Sequence, residues 1–89
     1  MASNVVHLLF DLVPGHAVPI TTTLARMGGV MRADFVPGPP DLVVTLVAPD
    51  VKSLVDVTGD IVDALEPWTI QYRCLPVQRG VSLAKPAAA

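Results

Sequence analysis

Cysteine is nearly absent from this sequence: Cys74 is the only one in 89 residues. A lone thiol excludes an intrachain disulfide and any metal cluster built on cysteine, and its apolar, strand-like surroundings predict a buried, inert side chain. Long apolar runs are missing as well. No stretch approaches the roughly 18 uninterrupted apolar residues of a membrane-spanning helix, because charged residues, Pro or Gly break every run. The opening Met1-Ala2-Ser3-Asn4 lacks the basic start of a signal peptide, and Asp11 and Pro14 interrupt the apolar segment behind it. Basic charge is sparse and scattered over Arg26, Arg32, Lys52, Arg73, Arg79 and Lys85, with a net charge of -2. That pattern excludes the footprint of a nucleic-acid surface, which needs clustered Lys and Arg. Together these absences predict a cytoplasmic protein with no direct contact to nucleic acid or membrane.

Catalytic signatures are missing too. The sequence shows no nucleophile–base combination, phosphate loop or zinc-protease helix. His7 and His16 stand too far apart for a recognised metal motif, with no Cys or carboxylate at ligand spacing. The expectation is a chain without catalysis, metal or cofactor.

What is abundant is apolar side chain: 52% of residues are hydrophobic, with a mean hydropathy of +0.56. The length fits one domain, and a domain this small buries only roughly two thirds of the surface its unfolded chain exposes. The surplus apolar surface therefore predicts self-association.

Periodicity divides the chain into six elements. Val5–Val13 alternates as a strand, with Val6, Leu8, Phe10 and Leu12 on an apolar face and His7, Leu9 and Asp11 on a mixed one. After the Pro14-Gly15 turn, Ile20, Leu24 and Met27 recur at helical spacing from about Ala17 or Val18, with Pro19 tolerated in the first turn. Thr21, Thr22 and Thr23 are poor helix formers, so packing must hold this helix, and Gly28-Gly29 supplies its stop. Val30–Val36 and Leu42–Val47 read as two central strands. Asp50 caps a second helix over Val51–Leu65, whose apolar face is predicted as Val51, Leu54, Val55, Thr58, Ile61, Val62 and Leu65. Gly59 in that helix offers close approach to the sheet. In the last strand, Trp68–Val77, Trp68, Ile70, Tyr72 and Cys74 alternate with Thr69, Gln71, Arg73 and Leu75.

The order β-α-β-β-α-β is that of the ferredoxin-like split βαβ unit: an α+β fold with a four-stranded antiparallel sheet and two helices on one face. The domain is expected over residues 4–78, with a flexible tail over 79–89. The uncovered sheet face, carrying Leu9, Val43, Thr69, Gln71 and Arg73, predicts a homodimer. Asp11 and Asp34 are expected to pair with Arg32 or Arg73. At the Gly-Pro-Pro-Asp junction between the central strands, Gly38 reads as a turn residue. Asp41 either accepts hydrogen bonds from its own turn or holds the ammonium of a small ligand.

The run from Pro14-Gly15 through the first helix to Gly29-Val30 is followed by the G-x-x-D hairpin at Gly38–Asp41. The D-L-V-V-T-L strand and the second helix complete a pattern that resembles the effector-binding (RAM) domain of the Lrp/AsnC family of transcriptional regulators. The resemblance covers Val5–Val77. It implies a ferredoxin-like domain that dimerises by packing its sheets, with dimers assembling into octamers or similar rings and amino acids bound in clefts between dimers. It implies ligand contacts at Gly38 and Asp41, and at Gln71 and Arg73, which fall where the family often carries threonine-like residues. Arg73 would meet a ligand carboxylate and Asp41 its ammonium. Without an N-terminal DNA-binding domain, the chain resembles the stand-alone versions of this domain. Pro39-Pro40 stand where the family commonly carries a polar and an aromatic residue, which removes a cleft wall. Two rival functions share the fold: a peptide-holding module of the NapD chaperone type, and a small dimeric ferredoxin-like enzyme using His7 and Asp11 on the sheet face.

Overall fold

The computed structural model describes residues 4–77. Strand β1 (Asn4–Leu12) leads to helix α1 (Ala17–Ala25), strands β2 (Val30–Phe35) and β3 (Leu42–Ala48), helix α2 (Val51–Leu65) and strand β4 (Thr69–Val77). The sheet is antiparallel in the order β2-β3-β1-β4. This is the ferredoxin-like arrangement read from the sequence. The expected tail over residues 79–89 lies outside the described residues.

The core forms where the apolar face of β1 meets the helices. Val6, Leu8 and Phe10 of β1 and Leu42, Val44 and Leu46 of β3 pack with Ile20 and Leu24 of α1 and Ile61 and Leu65 of α2, all buried. Both helices therefore cover the same sheet face. Asp50 caps α2 by accepting a hydrogen bond from the Ser53 amide at 2.7 Å, which satisfies one of the free donors of the first helical turn. That bond to the ionised form holds the Asp50 carboxyl below its ordinary range. In α1, the Thr22 and Thr23 hydroxyls donate to the carbonyls of Val18 and Pro19, one turn back. This local bonding leaves little intrinsic helix strength, so Ile20 and Leu24 anchor the helix.

Several sequence-based expectations need correction. Helix α1 stops at Ala25, before Gly28-Gly29, because the Arg26 and Met27 amides turn back to the Thr23 and Leu24 carbonyls. In α2, Val51 and Val55 are largely exposed while Leu54, Val57 and Val62 pack on the core. The buried stripe runs through Leu54, Val57, Ile61 and Leu65, so the predicted face holds at Leu54, Ile61, Val62 and Leu65, fails at Val51 and Val55, and lacks Val57. Gly59 makes no close approach, since a Cβ there would meet nothing within 4 Å. The close approach is at Gly29, where φ is +85° and a Cβ would stand 2.8 Å from Cγ1 of Val57. Cys74 is exposed, not buried, because β4 is an outer strand that α2 does not cover.

The alternation predicted for β4 also breaks at one point. Asp11 lies opposite Gln71 but Leu12 lies opposite Thr69, so Ile70 is an extra residue in β4, a bulge. The bulge turns Thr69 off the open face, and its hydroxyl donates to the Leu65 carbonyl at 2.7 Å. Gln71, Arg73 and Leu75 remain on the open face, opposite Asp11, Leu9 and His7.

Candidate functional site

The junction between β2 and β3 is closed by one bond at Asp41 and tied to β1 by two more. The Val36 amide donates to the Asp41 carbonyl at 3.0 Å, and the Asp41 amide donates to the Phe10 carbonyl at 2.8 Å. The Leu12 amide then donates to Oδ2 of Asp41 at 2.9 Å. Strand β3 begins at Leu42, so no backbone carbonyl of β3 lies beyond Phe10 to receive that amide. The aspartate side chain takes the place of the missing strand. Gly38 sits against the same carboxylate, and a Cβ there would fall 2.8 Å from the Pro40 carbonyl. The structure thus brings Gly38 and Asp41 together, and the Asp41 side chain accepts from Leu12 of β1 rather than from its own turn.

Beside this junction is a cavity of about 300 Å³ lined by Leu12, His16, Ile20, Phe35, Val36 and Asp41, among others. Its floor is apolar, and Asp41 and His16 are its two ionisable lining residues. His16 is half-buried at the start of α1, its ring 6.5 Å from that of Trp68. The Trp68 carbonyl accepts from the Val13 amide at 2.8 Å, which fixes the loop that carries His16. His16, set aside in the sequence as a metal ligand, lines the Asp41 cavity. The Pro14-Gly15 turn just before a helix start was the only signal for it.

Gln71 and Arg73 lie elsewhere, on the open face of β4 and on the far side of β1 from β3. Within one chain the four predicted ligand residues therefore form two groups, Gly38 with Asp41 and Gln71 with Arg73. Gln71 is engaged already, its Nε2 donating to Oδ2 of Asp11 at 2.6 Å. Asp11 takes this amide in place of the expected arginine. Asp34 does find Arg32, at 2.7 Å from Nε to Oδ2 along the same strand. The hydrogen bond and charge of Asp34 raise the Arg32 guanidinium above its ordinary value.

Across the four strands the open face is built of rows. Arg32, Thr45, His7 and Leu75 form one, and Asp34, Val43, Leu9 and Arg73 the next. Beyond the first row lie Val47, Val5 and Val77. The middle of the face is apolar apart from His7 and Thr45, which bond to each other at 3.1 Å. His7 and Asp11 stand four residues apart on one strand, a span of about 13 Å, and each is bonded to a different neighbour. They do not form an acid–base pair. Among the described residues no three His, Cys, Asp or Glu side chains gather as metal ligands, and no helix is long and apolar enough to cross a membrane.

The sequence matches no known protein family and no curated protein. Its backbone does match solved structures. An AsnC family transcriptional regulator from Agrobacterium tumefaciens superposes over 90% of this chain with a TM-score of 0.76 at 10% identity. AsnC of E. coli does so over 92% with a TM-score of 0.77 at 11% identity. This chain spans about half of each regulator, 53% and 55% of their lengths. TTHA0845 from Thermus thermophilus is matched over 98% of its own length and 89% of this chain, with a TM-score of 0.75 at 23% identity. A putative antibiotic biosynthesis monooxygenase from Chloroflexus aurantiacus is more distant, with a TM-score of 0.53 at 14% identity. At these identities the likeness is one of fold, and the fold is shared with AsnC-type regulators.

Proposed function

We propose that this chain is a non-catalytic, cytoplasmic regulatory module of the Lrp/AsnC effector-domain type, which self-associates through its open sheet face and senses an amino acid. The observation that supports it most is that face. Val5, Leu9, Val43 and Val47 lie half-buried there, with Leu75 and Val77 exposed beside them, and no element among the described residues covers them. An apolar sheet face bordered by charges is the form expected of a subunit seam. Such dimers are the units of an octamer or similar ring.

The two-group arrangement of the ligand residues suits a site completed by assembly. Asp41 offers a carboxylate to an ammonium beside an apolar cavity, and Arg73 offers a guanidinium to a carboxylate. One chain holds them on opposite sides of β1, so a zwitterionic ligand would bridge groups from different chains, with Gly38 and Gln71 flanking them. The native mass by light scattering, followed by calorimetry against the common amino acids, tests the reading. Binding that disappears in Asp41→Ala, and in Arg73→Ala at concentrations where light scattering shows its oligomer intact, is expected. An intact oligomer that binds none of them at millimolar concentration would overturn the sensing role.

A further inference from the structure

The geometry points to one orientation for two copies packed through their open faces, in which Asp34 of each meets the partner's Arg73. The assignment rests on the self-association proposed above and adds to it the register and the charges that set it.

Asp34 and Arg73 occupy the two ends of a single row, Asp34–Val43–Leu9–Arg73, on the outer strands β2 and β4. Three strand spacings separate them, about 14 Å, so they cannot pair within one chain. The row thus has an anionic end, an apolar middle and a cationic end. A two-fold axis parallel to the strands, lying between the two sheets, keeps each row at its own height and exchanges left for right. It sets β2 over the partner's β4, Asp34 over the partner's Arg73, and Val43 over the partner's Leu9. Packed sheets lie about 10 Å apart, a gap that an extended arginine and an aspartate close from opposite sides.

The same axis sets His7 over the partner's Thr45, which extends the one polar contact at the centre of the face. The rival axis, perpendicular to the strands and midway between these two rows, places Arg32 over the partner's Asp34 and leaves Arg73 facing the partner's Leu75. That packing strands a guanidinium on an apolar side chain, at a desolvation cost without a counter-charge. The favoured axis sets Arg32 over the partner's Leu75, but Arg32 keeps Asp34 as its counter-charge on the same strand, so each carboxylate lies between two guanidinium groups.

Charge reversal tests the assignment. Asp34→Arg and Arg73→Asp, each alone, place like charges opposite each other twice per dimer, and sedimentation equilibrium should show the dimer weakened at least about tenfold. Mixing the two variants restores both opposite-charge pairs in a heterodimer, and the Asp34→Arg/Arg73→Asp double variant restores them in a homodimer. Both should recover association close to wild type, with a salt dependence like that of the parent. A wild-type dimer whose Asp34→Arg defect is not rescued by Arg73→Asp, in either format, overturns the orientation while leaving self-association standing. A wild-type chain that stays monomeric at all concentrations overturns the self-association reading, and this assignment with it.

Discussion

The Asp41 carboxylate receives the Leu12 amide at 2.9 Å, so a hairpin side chain completes the backbone bonding of a neighbouring strand. Removing it leaves a half-buried donor without its partner. Asp41→Ala is expected to cost about 1–2 kcal/mol of stability in urea titration. Asp41→Asn keeps an acceptor oxygen and should lose less than half of that. A loss of amino-acid binding in Asp41→Asn with unchanged stability would separate a ligand role from the structural one.

Gly29 and Gly28 are adjacent and should respond very differently to alanine. Gly29 has φ +85° and no room beside Val57, whereas a Cβ on Gly28 meets nothing within 4 Å. Gly29→Ala is expected to destabilise the fold by about 1–3 kcal/mol, while Gly28→Ala stays within about 0.5 kcal/mol of wild type. Thermal unfolding of the two variants checks the contrast.

Asp50 links the start of α2 to pH. Its folded carboxyl titrates below the ordinary value of 3.8 because it accepts the Ser53 amide. A depressed folded value means a contribution that is complete above the unfolded value and is lost as pH falls through the folded one. Helical circular dichroism followed through acid should show the wild type losing stability below about pH 4. Asp50→Asn, which has no such ionisation, should lose less over the same range.

Cys74 should react with a thiol-specific reagent in the folded protein, at one equivalent and without denaturant, because its side chain is exposed on an outer strand. It lies on the helix side of β4, opposite Leu8, and away from the open face. Labelling is therefore expected to leave self-association through that face unchanged, which size-exclusion chromatography of the labelled protein can show.

Much of the fold was legible because period two and period 3.6 are written plainly in β1, β3 and α2, and because Asp50 marks a helix start. The errors have local physical causes. Val51 and Val55 look like core residues, yet the stripe through Leu54, Val57 and Ile61 sets the helix rotation, and only packing reveals which of two neighbouring stripes is inside. Cys74 sits in an apolar run, but the run belongs to an outer strand, and strand order is not a local property. The bulge at Ile70 is equally invisible to alternation, and it moved Thr69 to the other side of the sheet. At the site, the pairing of Gly38 with Asp41 follows from their spacing in a short turn. The separation of Gln71 and Arg73 from that pair depends on β1 lying between β3 and β4.

Both outer strands of the sheet carry an interruption. Ile70 is the extra residue in β4, and Met31 is the extra residue in β2, where Val30 lies opposite Leu46 but Arg32 opposite Thr45. Each is more than half exposed, and β4 also contains Pro76, which has no amide to donate. An outer strand with a regular row of free amides and carbonyls is a template for further strands, the route by which sheets run on into fibrils. Here that row is broken on both sides. A chain with this much apolar surface is thereby steered away from open-ended growth along its edges.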